Sequence, residues 1–154
     1  MRYFKLEQDK RIPYSVVLTG LNRIGGYFES KGGDLSDLDR IIVSLINSSP
    51  VNFYPDILDR QLFIVKGSVK DVFDLFLPDL KYKRCLLLDR PLRKLTSYHI
   101  PILDVIEFEQ GADEKRHLFR VPDRKESRVI ASLDFVEVLL RRNPKGVRIS
   151  VVEV

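Results

Sequence analysis

A segment in the middle of this chain returns, in the same physical pattern, at its C-terminal end. Leu62-Phe63-Ile64-Val65 is a short apolar run, followed by Gly67-Ser68 and then by Val69, Val72, Phe73 and Phe76 at the i, i+3, i+4, i+7 spacing of one helical face. Pro78 stops that helix, and Arg84-Cys85-Leu86-Leu87-Leu88 reads as a second strand. Sixty-six positions on, the order recurs: Val129-Ile130-Ala131, Ser132, then Phe135, Val138 and Leu139, with Pro144 where Pro78 stood (144 − 78 = 66) and Val147 to Val154 as a closing strand. Two strand-helix-strand units, about 62–88 and 129–154, predict a mixed α/β (α+β) fold, with one mixed sheet built from the units and N-terminal strands. Each connection holds a helix of about ten residues, enough for a crossover between parallel strands.

A chain of 154 residues with 44% hydrophobic content suits one domain, here 1–154, burying roughly 70% of its unfolded surface. No apolar run approaches the ~20 residues of a membrane span, and Met1-Arg2-Tyr3-Phe4-Lys5 lacks the apolar core of a secretion signal. The single cysteine, Cys85, has no internal partner, which suits a reducing compartment. The expectation is a cytoplasmic protein with no membrane association. Charge is uneven: ten basic residues (Lys115, Arg116, Arg120, Arg124, Lys125, Arg128, Arg141, Arg142, Lys145, Arg148) lie between 115 and 148, opposed by Asp123, Glu126, Asp134 and Glu137. Such an excess is either a solvated face or a surface that attracts nucleic acid or an acidic protein.

Elsewhere, Arg2 to Glu7 alternates as a strand, with Tyr3 on one face and Phe4 and Leu6 on the other; Tyr14 to Leu18 is a second candidate. The region 20–55 is weakly defined. Leu38, Ile41, Ile42 and Leu45 fit a helical spacing, while Ile41-Ile42-Val43 equally suits a strand. Pro55 to Leu58 reads as a short helix or turn. Continuous Leu86-Leu87-Leu88 predicts a central strand covered on both faces, and alternating Val147, Ile149 and Val151 predict a strand nearer an edge. Pro101, inside the apolar stretch 98–108, restricts any strand there to an edge or to residues after it. Gln110–Lys115 and Pro122–Ser127 read as polar loops.

Catalytic patterns are sparse. Cys85 sits in an apolar strand, where burial suppresses the thiolate. His99 and His117 have no metal-ligand spacing; a His99–Asp104 pair carries no signature, and Asp34, Asp37 and Asp134 suit helix N-termini. The glycines at 20, 25, 26, 32 and 33 make no phosphate-cradling loop. These readings give no enzyme, no catalytic residue, no metal and no cofactor. The run Lys81-Tyr82-Lys83-Arg84 interleaves an aromatic with cations, as single-stranded nucleic acid binders do, although Tyr82 has an equal claim to core packing.

From about Pro55 to Val154 the chain resembles the bacterial immunity proteins encoded beside polymorphic toxins. The segments that carry this are Pro55-Asp56-Ile57-Leu58, Leu62 to Phe76, Tyr98 to Asp104, His117-Leu118-Phe119-Arg120-Val121, Val129-Ile130-Ala131-Ser132 with the helix after it, and Gly146-Val147-Arg148-Ile149. The family often has a Ser-Glu pair after the third strand; here Leu133 follows Ser132. The resemblance implies a single-domain α/β inhibitor that binds one cognate toxin stoichiometrically, and it transfers no functional residues. Candidate partner-binding residues are Tyr98 and His99, beside a proline-fixed turn, and Arg141, Arg142 and Lys145, around the end of the last helix. A nucleic-acid or other acidic-ligand domain using the same basic surface is the alternative.

Overall fold

Both repeated units close around an inserted strand. The computed structural model describes residues 2–19, 41–106, 116–122 and 128–152. The described strands are β1 (Tyr3–Gln8), β2 (Leu18–Thr19), β3 (Ile41–Ile46), β4 (Ile57–Leu58), β5 (Ile64–Val65), β6 (Tyr82–Asp89), β7 (Lys94–Pro101), β8 (Leu118–Val121), β9 (Arg128–Ser132) and β10 (Val147–Val151). Helix α1 (Gly67–Phe76) joins β5 to β6, and α2 (Leu133–Arg141) joins β9 to β10. In the first unit β7 lies between β5 and β6, antiparallel to each; in the second, β1 lies between β9 and β10 in the same way. The strands flanking each helix are therefore parallel but not adjacent. The fold is mixed α+β, but the expected single sheet is two: β10-β1-β9-β8 and β2-β3-β6-β7-β5-β4, one unit in each.

The two helices share a core with the inner faces of both sheets. Leu6, Val129 and Ala131 from one sheet and Ile57 and Val65 from the other meet Val69, Val72 and Phe73 of α1 and Phe135, Val136 and Leu139 of α2. Phe73 and Phe135 touch edge-to-face at 5.3 Å, a pair worth about 0.5–1.5 kcal/mol beyond its area. Helix α1 buries the predicted face. In α2 the buried set is Phe135, Val136 and Leu139, and Val138 is only half-buried. Ser132 is the α2 N-cap, its Oγ accepting the Phe135 N–H at 3.3 Å; Asp134 and Arg141 occupy the first and last turns, each at the helix end that favours its charge.

Several local expectations resolve. Tyr3 and Leu6 do face opposite sides of β1. The ambiguous Ile41 segment is a strand, and Pro55–Leu58 leads into strand β4 rather than a helix. The second N-terminal strand starts only at Leu18, with Ser15 making one isolated bridge to Phe53. Pro101 ends β7 in the sheet interior: the Ile102 N–H bonds Lys81 O toward β6, so the missing donor of Pro101 points to the other side, past the end of β5. The acids Asp34 and Asp37, the glycines of 20–33 and the loops 110–115 and 123–127 lie outside the described residues. No helix among the described residues is long and apolar enough to cross a membrane.

Candidate binding surface

Strand β3 inverts the usual pattern. Its sequence is Ile-Ile-Val-Ser-Leu-Ile, and the one polar residue, Ser44, points inward and is buried, its hydroxyl bonding Thr19 O at 3.1 Å and Leu45 O at 3.0 Å. The outward residues are all apolar: Ile41, Val43 and Leu45 are 50%, 57% and 38% exposed. Register extends the face. Val43 and Leu45 pair with Leu86 and Leu88 of β6, which are only half-buried, and Leu88 pairs with Leu95 of β7, which is 60% exposed. On this side of the sheet, α1 covers the end near Val65 and Tyr82 and leaves the β3-β6-β7 end open. Strand β6 is interior, as expected, but covered fully on one face only.

Behind the open face the sheet is rigidly backed. Cys85, Leu87, Tyr98 and Ile100 pack with Ile42, Ile46, Ile64 and Leu58 in a second core. Burial pushes the Cys85 thiol up to about 12, consistent with an inert structural residue. Asp89, wholly buried at the end of β6, accepts the Ser48 hydroxyl at 2.9 Å and the Leu92 N–H at 3.3 Å, tying the β6–β7 hairpin to the exit of β3. Tyr98 belongs to this scaffold. It was expected at the surface, yet its ring is fully buried and its hydroxyl donates to Pro55 O at 2.6 Å. Position 98 lies on the inward phase of β7 opposite Cys85, and that phase outweighs proximity to Pro101.

His99, one residue on, points to the other side and is half-buried. Its ring meets that of Tyr82 edge-on at 6.1 Å. Tyr82 in turn donates to Asp74 at 2.7 Å, and Lys70 binds Asp74 at 2.8 Å while standing 4.6 Å over the Tyr82 ring. Burial, helped by the nearby cations Lys70 and Arg84, lowers the His99 pKa. Burial also raises the Asp74 carboxyl, but its bonds from Lys70 and Tyr82 outweigh that and hold it below the ordinary value. Tyr82 is thus held against α1 through Asp74 rather than presented as a stacking platform. Arg84 is the one permanent charge on the outward phase of β3, β6 and β7, and the phase carries no acid.

A different polar pair forms where no spacing announced it. His117 Nδ1 lies 2.8 Å from Ser132 Oγ, fifteen residues away in sequence. Ser132 is buried and its oxygen already accepts the Phe135 N–H, so the pair caps a helix and offers no reachable nucleophile. His117 also borders a cavity of about 500 Å³ between Phe76, Leu80, Ile102 and Leu103, at whose mouth Arg116 pairs with Asp104 at 3.1 Å. That ion pair replaces the imagined His99–Asp104 contact.

Among the described residues the basic stretch does not form one surface. Arg120 is buried, Arg116 is paired, and Arg148 lies 3.8 Å from Glu7; Lys115, Arg124 and Lys125 are outside the described residues. Arg141, Arg142 and Lys145 are exposed together at the end of α2, as expected. Sequence reading missed the open face because Ile41-Ile42-Val43 and Leu86-Leu87-Leu88 look like two-sided burial. The signal available was Ser44, a polar residue in the phase that must face the core. Compared with protein-family models, with curated proteins and with solved structures, the chain matches none.

Proposed function

We propose that this chain is a non-enzymatic binding protein that neutralises a cognate bacterial toxin by stoichiometric association in the cytoplasm, with the open end of the six-stranded sheet as its main contact. One observation carries the reading: β3 turns Ile41, Val43 and Leu45 to solvent and its serine inward. A contiguous apolar face of this kind marks an interaction surface, and local rules of patterning are broken where function requires it.

Magnitudes set what the partner must supply. Fully covering a Val, Leu or Ile gains about 1.5–3 kcal/mol, so each of the four half-exposed side chains adds about 1 kcal/mol. Association itself costs an estimated 4–15 kcal/mol, so the apolar face alone gives weak binding. A tight inhibitor therefore needs a charged anchor as well, and Arg84 fits a carboxylate of the partner brought to the rim of the patch. The absence of acids on this phase favours an acidic rim in the partner and disfavours self-pairing, which would set Arg84 of two copies on a shared interface.

The test co-expresses this chain with the toxin-like C-terminal domain encoded beside its gene. Rescued growth with a co-purifying 1:1 complex supports the reading. Failure of both, together with tight binding to random RNA or DNA at physiological salt, transfers it to a nucleic-acid binder using the exposed cations.

A further inference from the structure

On the other sheet, β10 and α2 frame a groove with an open strand edge. Strand β10 ends the order β10-β1-β9-β8. Gly146 O accepts the Asp9 N–H at 2.8 Å and the Val152 N–H donates to Tyr3 O at 3.0 Å, so the backbone groups of 146, 148, 150 and 152 turn toward β1. Those of Val147, Ile149 and Val151 turn outward, and no partner for them occurs among the described residues. The same three residues line a groove of about 420 Å³ together with Phe4, Val136 and Leu140, closed at its Val147 end by Asn143 and Pro144. Leu140 and Val151 are largely exposed.

We infer that this groove binds an extended, C-terminally acidic peptide segment of a partner protein, added to β10 as a fifth, antiparallel strand. Main-chain bonds to 147, 149 and 151 would give the affinity, and alternate apolar side chains of the peptide would enter between Val136, Leu140 and Ile149. Direction follows from charge. Arg141, Arg142 and Lys145 precede Val147 and are exposed, so the carboxyl end of an antiparallel strand arrives among three cations. Three full charges exceed the roughly half-charge of opposite sign at the helix C-terminus, so the end of the groove is net positive. Two acids adjoin this turn: Asp56 Oδ2 already accepts the Lys145 N–H at 2.7 Å, and the Asp9 carboxylate is held by Arg11 at 2.9 Å. An isologous pairing of two β10 edges is antiparallel and sets the cations of the two copies at opposite ends of the interface, so a second copy as occupant is distinguished by concentration dependence in the absence of peptide.

The test titrates the ¹⁵N-labelled full chain with the synthetic peptide Val-Thr-Val-Thr-Val-Asp-Glu, bearing a free carboxylate, and follows amide exchange. The expected result is new protection at Val147, Ile149 and Val151 but not at Arg148 or Ser150, whose amides already bond to β1. Leu140→Asp and the double change Arg141→Glu with Arg142→Glu should each weaken binding about tenfold or more. Uniform shifts without the alternating pattern, equal affinity for a peptide with Lys-Lys in place of Asp-Glu, or protection of the three amides in the free chain would overturn the proposal; concentration-dependent protection without peptide would assign the edge to self-association instead. The peptide test is independent of toxin binding through the other sheet, so either reading can fail alone.

Discussion

Asp56 and Lys145 clasp the two sheets to one another. The Asp56 N–H donates to Lys145 O at 2.8 Å, and Asp56 Oδ2 accepts the Lys145 N–H at 2.7 Å. This reciprocal pair links the segment entering β4 of the six-stranded sheet to the turn entering β10 of the four-stranded one. Beside it Gly146 adopts φ +73°, and a Cβ there would stand 2.6 Å from Pro55 Cβ.

Breaking the clasp therefore has graded effects. Asp56→Ala removes one partly solvated, charge-assisted bond and should cost about 1 kcal/mol. Gly146→Ala meets both a positive φ and the Pro55 contact, and should cost more, about 1–3 kcal/mol. Urea midpoints of the two variants test the order; an alanine at 146 that leaves the midpoint unchanged contradicts the tight approach of this turn.

The buried strand pair behind the open face gives a second expectation. Tyr98→Phe strands the Pro55 carbonyl without its buried donor and should destabilise by about 1–3 kcal/mol. In the wild type, Cys85 should resist a thiol-alkylating reagent at pH 8 until denaturant is added, because its thiol is buried and raised to about 12. Rapid labelling of the native chain would contradict the central placement of β6.

His99 supplies a pH dependence with a defined sign. Its folded pKa lies below the ordinary 6.5, so the unfolded chain takes up the proton first. Stability is then full above about pH 6.5 and declines as pH falls below it, until the folded state also protonates. The Asp74 contribution, from a lowered carboxyl, is lost only in a more acid window near and below its ordinary 3.8. Denaturation midpoints between pH 8 and 5 should fall for the wild type and flatten for His99→Asn. An unchanged slope in the variant contradicts the burial of the ring against Tyr82.

The helices and their flanking strands were legible because the apolar spacing of Val69, Val72 and Phe73 admits one solution, and the repeat at 66 residues doubled the signal. Both units being split by a third strand was not legible: β1 and β7 enter from distant positions, and spacing carries no information on strand order. Tyr98 was misplaced because its nearness to Pro101 suggested a turn, whereas the phase of β7 turns it into the core behind the sheet; Val138 is half-buried because periodicity identifies a helix face but not which flank of it is covered. The His117–Ser132 and Asp56–Lys145 contacts link residues that no motif relates. The open face was hidden by its own composition, because an apolar strand residue left uncovered reads the same as a buried one. Only Ser44, polar in the inward phase, marked the inversion.

The central claim is that the outward phase of β3, β6 and β7 binds the toxin. The most direct measurement is the affinity of the neighbouring gene's toxin domain for wild-type chain and for Val43→Asp combined with Leu95→Asp, by calorimetry at physiological salt. Both positions are exposed, so the double variant should keep the wild-type unfolding free energy from urea denaturation to within about 1 kcal/mol. The wild type should form a 1:1 complex and the variant should bind about a hundredfold or more weaker, the loss expected when apolar anchors at the centre of an interface are replaced by charge. Equal affinity for both chains, or no complex with either, would contradict the claim.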